Sequence, residues 1–292
     1  MKPLDTLLAG LNSALWLNLF ALLALVMPAT ARPLPRVASF GLCADQMVLM
    51  LADRAQIASV SDQASGPLSA FAARARGIPV NRGSAEEVIA AGAKVLIYSD
   101  SLGKRSADAL AGFGVTVIGL PFANGWAEVD AMTRLVARAL DQTARGEALV
   151  VDMHRRLARL RPAEPRRDWP TVVYYRPDGG GGGAGTFVDA SLTAAGFRNL
   201  QAEWGPPLWS GVPVEQVVRH PPDLFAVSYF DTSRNALSVL RRNPVLWGHA
   251  RTRPVLDVPG RYWNCGSPLL VDAVAHLARQ RARLMRRRGA AE

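Results

Sequence analysis

Two cysteines, four histidines, one glycine run and a scatter of aromatic rings are the residues able to do chemistry. Cys43 and a distant histidine have the makings of a nucleophile and base, but no oxyanion or base motif surrounds them. His154, His220, His249 and His276 form no H-E-x-x-H or other local metal pattern, so no metal centre and no cofactor is expected. Residues 179–183 are all glycine, with Gly185 following. Such a run can cradle phosphate with its N–H groups. It lacks the G-K-[ST] ending and the dinucleotide spacing, so it reads as a strand-to-helix loop at the rim of a cleft. Catalysis through Cys43 or through this loop is the rival reading, and no catalytic residue is assigned.

The aromatic residues carry more. Tyr98 ends one predicted strand, and Tyr175 with Arg176 ends another; alternation allows only one of Tyr174 and Tyr175 to face a cleft. Phe187, Trp204, Trp209, Tyr229 and Trp263 fall on predicted loops or strand ends. Flat rings suit stacking, and arginine suits carboxylates or an anionic chelate. Core packing is the competing use of every one of these rings.

These side chains need a frame. The chain has 292 residues, 49% of them apolar, which supports a packed core and excludes a disordered chain. Residues 1–31 stand apart: Lys2, an apolar run, Pro28 and then Ala29-Thr30-Ala31 have the layout of a secretory signal peptide cleaved after Ala31. An uncleaved anchor is the alternative. Export would put the protein in a compartment that permits disulfides. Cys43 and Cys265 either pair there, across two halves of the protein, or remain as free thiols. The net charge is +10, and residues 279–288 hold six arginines. Export argues against nucleic acid, so this end reads as a solvated last helix turn, with weak attraction to an anionic membrane surface as the alternative.

Strand and helix alternate through residues 32–126 and again through 161–292, the pattern of two α/β lobes with mostly parallel sheets. Between them, residues 127–160 keep apolar spacing at the helical period, which predicts one interlobe helix of about 50 Å, bent at Gly146. The halves look related. At a constant offset of 129 residues, Glu86 falls on Glu215, Val88 on Val217, Ile89 on Val218 and Ser99 on Ser228. Each segment is a short helix opening with Glu, a turn and an apolar strand. Two such lobes have one natural binding place, the cleft between them.

Residues 36–46 (RVASFGLCADQ), 51–53 (LAD), the Glu86 and Glu215 units, Thr186-Phe187-Val188-Asp189, Pro222-Asp223 and residues 262–268 (YWNCGSP) together resemble the periplasmic substrate-binding proteins of ABC importers for cobalamin, ferric siderophores and haem. The likeness runs over nearly all of residues 36–278. It implies a class III periplasmic binding protein: two Rossmann-like lobes joined by one rigid helix, a monomer with a shallow cleft. It implies a metal chelate or corrinoid ligand, a ferric siderophore or cobalamin before haem, held by cleft residues among Leu42, Cys43, Tyr98, Tyr175, Arg176, Phe187, Trp204, Trp209, Tyr229 and Trp263. It further implies delivery to an inner-membrane permease of two equivalent subunits, docked through Glu86 and Glu215. The usual Pro-Asp before the first lobe's strand is Ala93-Lys94 here, and Ser267 stands where a second glycine is common. A secreted enzyme and a receptor-binding sensor subunit are the readings from other classes.

Overall fold

The structure is a computed structural model that describes residues 32–99, 101–176, 179–205, 208–229 and 240–289. The signal-peptide reading of residues 1–31 lies outside them. Residues 1–34 and Pro35–Glu292 are separate units, and the second unit carries both lobes.

The first lobe opens with β1 (Val37–Phe40), α1 (Leu42–Leu51) and β2 (Ile57–Ser61). A short helix α2 (Ala72–Ala75), β3 (Val80–Asn81), α3 (Ala85–Ala90), β4 (Val95–Tyr98), α4 (Ser101–Leu110) and β5 (Thr116–Gly119) complete it. Its five parallel strands lie in the order β3-β2-β1-β4-β5. All residues of β1 and β2 are buried, as a sheet covered by helices on both faces requires.

After the helices α5 (Trp126–Ala139) and α6 (Thr143–Leu160), the second lobe begins at β6 (Thr171–Tyr175). It continues through β7 (Gly180–Gly182), α7 (Phe187–Ala194), β8 (Arg198–Asn199), α8 (Leu200–Trp204) and β9 (Trp209–Gly211). Then follow α9 (Val214–Arg219), β10 (Leu224–Tyr229), α10 (Pro244–Ala250), β11 (Val255–Pro259), α11 (Gly260–Trp263) and α12 (Leu270–Gly289). Its parallel sheet runs β11-β10-β6-β8, with β7 and β9 forming a separate antiparallel pair.

The lobes share one topology. Strands β2-β1-β4-β5 of the first correspond in order to β8-β6-β10-β11 of the second, and β3 is an addition. The helix–strand units that aligned at the 129-residue offset are α3–β4 and α9–β10, and each supplies the strand beside its lobe's first strand. Asp223 anchors the second of these: its carboxylate accepts from both N–H and Oγ1 of Thr171, each at 2.8 Å, tying the start of β10 to β6.

The connection differs from the single helix expected over 127–160. The chain breaks at Asp141, whose φ of 53° is left-handed, and α5 and α6 fold back on each other. Arg134 pairs with Glu147 and His154 with Asp130 across the hairpin. Gly146 marks no bend. It lies inside α6, where a Cβ would come within 2.4 Å of Ala137 Cβ, so glycine permits the close crossing. The apolar period runs on through the break because Met132, Val136 and Met153 enter the same core. The connecting element is α6 alone, about 27 Å long by its 18 residues.

The buried core runs through both lobes, from Val37 and Met47 through Met132 to Tyr174, Phe197 and Trp263. Among the described residues no helix is long and apolar enough to cross a membrane.

Candidate binding cleft

In an open parallel sheet, ligands meet the carboxyl ends of strands where the strand order reverses. In the first lobe that point lies between β1 and β4. In the second it lies between β6 and β10. Gly41, Leu42 and Cys43 follow β1, Tyr98 closes β4, and Arg176 follows β6. Gly41 has φ 86°, a conformation that lets the chain turn from strand into α1 without a Cβ penalty.

Cys43 and Cys265 form a disulfide with a Cα–Cα distance of 5.7 Å, so the floor of the cleft is a covalent link between lobes 222 residues apart in sequence. Polar bonds reinforce it. Gln46 Nε2 donates to Cys265 Sγ at 3.5 Å, and Asn264 Nδ2 to the Leu68 carbonyl at 3.4 Å. Gly266 presses on the first lobe so closely that a Cβ would sit 1.9 Å from the Ala123 carbonyl oxygen. Above this floor a cavity of about 100 Å³ is lined by the disulfide, Ser99, residues 120–123, Met132 and residues 264–267.

An aromatic cluster stands beside it. Trp209 packs edge-on against Phe187 with centroids 4.9 Å apart, and against Phe122 at 6.0 Å. The Arg176 guanidinium carbon lies 5.5 Å from the Trp209 ring, within cation–π range. Trp209 Nε1 donates to Asn124 Oδ1 at 3.1 Å. Phe122 and Asn124 belong to the first lobe, Phe187 and Trp209 to the second. Phe122 is 68% exposed and is the solvent-facing ring of the cluster.

Of the sequence candidates, Cys43, Arg176 and Trp209 come together here; Phe187 lies behind Trp209, is 4% exposed and belongs to the core. Leu42 is half-buried at the start of α1, and Tyr98 lies against β5, where a Cβ on Gly119 would meet its hydroxyl at 2.6 Å. The side chain of Tyr229 lies outside the described residues. Three more assignments are corrected. Trp263 is 1% exposed and stacks on Tyr174 at 5.1 Å in the core. Tyr175 is buried on the far face of β6 with Val212 and Leu240, because alternation sends Tyr174 to the other face, where its hydroxyl meets Ser228 at 2.8 Å. Trp204 packs on that same far-face cluster, beside His220. Phe122 and Asn124 are the residues that sequence reasoning passed over. Their place just beyond β5, at a strand's carboxyl end, was the available signal.

The glycine run is corrected too. Gly180–Gly182 is strand β7, paired with β9, and its lack of side chains is a packing requirement. A Cβ on Gly181 would lie 2.1 Å from Gln201 Oε1, and one on Gly182 would lie 2.8 Å from Val188 Cβ. The Gly182 N–H donates to Gln201 Oε1 at 3.1 Å and its carbonyl accepts from Asn199 Nδ2 at 2.7 Å. The Gly182 N–H, the kind of donor a phosphate loop would offer to ligand, is thus engaged within the lobe.

The histidines stand elsewhere. His154 pairs with Asp130, and His276 Nε2 bonds the Asp257 carbonyl oxygen at 2.8 Å. Asp45, in α1, is buried behind the cleft floor and accepts from the Ser39 and Ser61 hydroxyls and the Ser61 N–H. Burial pushes its carboxyl above the ordinary value, and these donors pull it part of the way back. At the opposite pole in exposure, Glu86 heads α3. Its own backbone N–H and the Ser84 hydroxyl hold its carboxyl below the usual range.

The comparisons with known proteins agree with this architecture. A cobalamin-binding protein of Halobacterium salinarum is 24% identical over 254 residues, spanning 83% of this chain and 68% of the relative. The periplasmic haem-binding protein RhuT from Roseiflexus sp. RS-1, in apo form, superposes with a TM-score of 0.67 at 21% identity over 84% of this chain and 98% of the other. An ABC-type Fe3+-hydroxamate transport system from Saccharomonospora viridis gives 0.63 at 18% identity, over 84% and 92%. These structural likenesses show the shared fold. The model of the periplasmic binding protein family matches residues 37–248. A family of binding proteins accounts for two lobes closed over a cleft that gathers rings and an arginine, and the chain belongs to it.

Proposed function

We propose that the protein captures a bulky metal chelate, a corrinoid or ferric siderophore, and hands it to an inner-membrane ABC permease without chemical change. The observation that carries this reading is the exposed Phe122 ring beside the half-buried Trp209, backed by the buried Phe187 and edged by Arg176, at the junction of the two lobes. Flat rings offer stacking area to a macrocycle or an aromatic chelator, and the guanidinium meets its negative groups. The likeness to a cobalamin-binding protein supports a corrinoid, and the shared fold with a hydroxamate system is compatible with a siderophore. Haem is the alternative ligand of the same type, supported by the likeness to RhuT. Residues 1–31 serve as the export signal, and the protein acts as a monomer in the periplasm.

Quenching of tryptophan fluorescence by cobalamin, a ferric hydroxamate and haemin tests the reading. Saturable quenching by one of them, with the ligand recovered intact, supports it. Absence of saturation with all three, or hydrolysis of a model ester or phosphate, overturns it.

A further inference from the structure

The last turns of α12 carry a charge pattern that ligand capture does not use. From residue 273 to residue 289 there is no acidic side chain, while Arg279, Arg281, Arg283, Arg286 and Arg287 follow one another. Among the described residues only Arg281 has a carboxylate partner, Glu164 at 3.0 Å, and it is turned inward. At 3.6 residues per turn, Arg279, Arg283, Arg286 and Arg287 fall within an arc of about 100° on the outer face. All four are exposed.

Beside this arc lies a groove of about 310 Å³, formed where α12 crosses the start of β11. Arg283 and Arg287, one turn apart, form its charged lip with Gln280; Val255, Leu256 and Leu284 give it apolar walls. Cations on an arc with an apolar groove beside it suit an amphiphile, whose phosphate meets the guanidinium forks while its hydrocarbon meets the walls. Position matters as well. The cleft stands at the carboxyl ends of the strands, and this groove stands at the amino end of β11. A surface held there leaves the cleft open.

We propose that the arginine face of α12 docks on a bilayer containing anionic phospholipid, with headgroup phosphodiesters held by Arg283 and Arg287. The charge complementarity comes from a helix end with four outward arginines and no acid to compensate them. Flotation of the full chain with vesicles of phosphatidylcholine, with and without phosphatidylglycerol, tests it. The N-terminal apolar segment is common to every arm, so the dependence on phosphatidylglycerol isolates the charged end. The expected result is binding that needs phosphatidylglycerol, weakens with salt, and drops at least about tenfold in Arg283→Gln with Arg287→Gln. Arg279→Gln with Arg286→Gln, on the same arc, should show a similar loss. Unchanged melting temperatures accompany both, since these side chains make no ion pair that folding depends on. Equal binding to neutral vesicles, undiminished binding of both double variants, or displacement by inorganic phosphate at matched ionic strength would overturn the proposal.

Discussion

The indole N–H of Trp209, on a strand of the second lobe, donates to Asn124 Oδ1 of the first lobe at 3.1 Å. That bond fixes one edge of the indole against the lobe junction and leaves the ring within reach of Phe122, Phe187 and Arg176. Trp263 is the contrast. It too belongs to a segment that reads as a polar loop in sequence, yet it ends helix α11 and is sealed against Tyr174.

The two tryptophans therefore predict opposite phenotypes. Trp209→Ala should weaken chelate binding by about 1–3 kcal/mol with a modest change in melting temperature. Trp263→Ala should cost about 3–5 kcal/mol of stability, the range for emptying an aromatic core position. Fluorescence titration and thermal denaturation of both variants separate the roles. If Trp209→Ala binds every ligand as wild type does, the ring cluster is packing and not a platform.

Reduction of the Cys43–Cys265 bond should release the lobes at the cleft floor. The bond closes a span of 222 residues, so the chain-entropy model puts its contribution at up to about 5 kcal/mol. Dithiothreitol, or Cys43→Ser with Cys265→Ser, should lower the melting temperature by several degrees at least. Identical melting curves with and without reductant would show that the remaining contacts, among them Gly266 on Ala123, hold the lobes unaided.

The alternation of strand and helix was legible from sequence because buried parallel strands advertise themselves as apolar runs, and the Glu86 and Glu215 units marked the likeness of the two lobes, whereas the strand order is seen only in the structure. The cleft was legible only in part. Trp204, Trp209 and Trp263 look alike in sequence, and which is covered depends on where another segment crosses. The break at Asp141 was hidden for a related reason. No glycine or proline interrupts residues 137–145, and aspartate is among the few residues that tolerate left-handed backbone. The glycine run misled because its cause, the side chains of Gln201 and Val188 against β7, is a tertiary contact.

Asp45 makes stability depend on pH. Burial raises its folded pKa above the value in the unfolded chain. A raised carboxyl contributes its full stabilisation below the unfolded pKa and loses it as pH rises through the folded pKa. Wild-type stability relative to Asp45→Asn should accordingly fall as pH climbs from the ordinary aspartate range, then level off once Asp45 is ionised. Denaturant unfolding of both proteins across the acidic range measures this. A difference that stays flat throughout, or that rises with pH, would mean that the Ser39 and Ser61 donors outweigh burial.

Glu86 and Glu215 head equivalent helices that lead into equivalent strands, and both are exposed. Simple helix capping would explain a glutamate at either place. In α3, however, the capping box belongs to Ser84 and Glu87: the Glu87 N–H donates to Ser84 Oγ at 3.2 Å and Glu87 Oε2 accepts from the Ser84 N–H at 3.3 Å. In α9 the residue before the helix is Pro213, and no side chain caps it. Helix α3 thus has a complete capping box without Glu86, although Glu86 also meets its own N–H and the Ser84 hydroxyl, and α9 does not use Glu215 as a cap. Two like charges at matched places on two related lobes suit a partner with two equivalent basic contacts, and such rim charges set association rate and register more than ligand affinity. Glu86→Lys with Glu215→Lys should leave chelate affinity and melting temperature near wild type while abolishing uptake by the reconstituted transporter. Each single variant should retain partial uptake, because one matched contact remains. Normal uptake by the double variant would remove these residues from docking, and a large fall in melting temperature would return them to the role of caps.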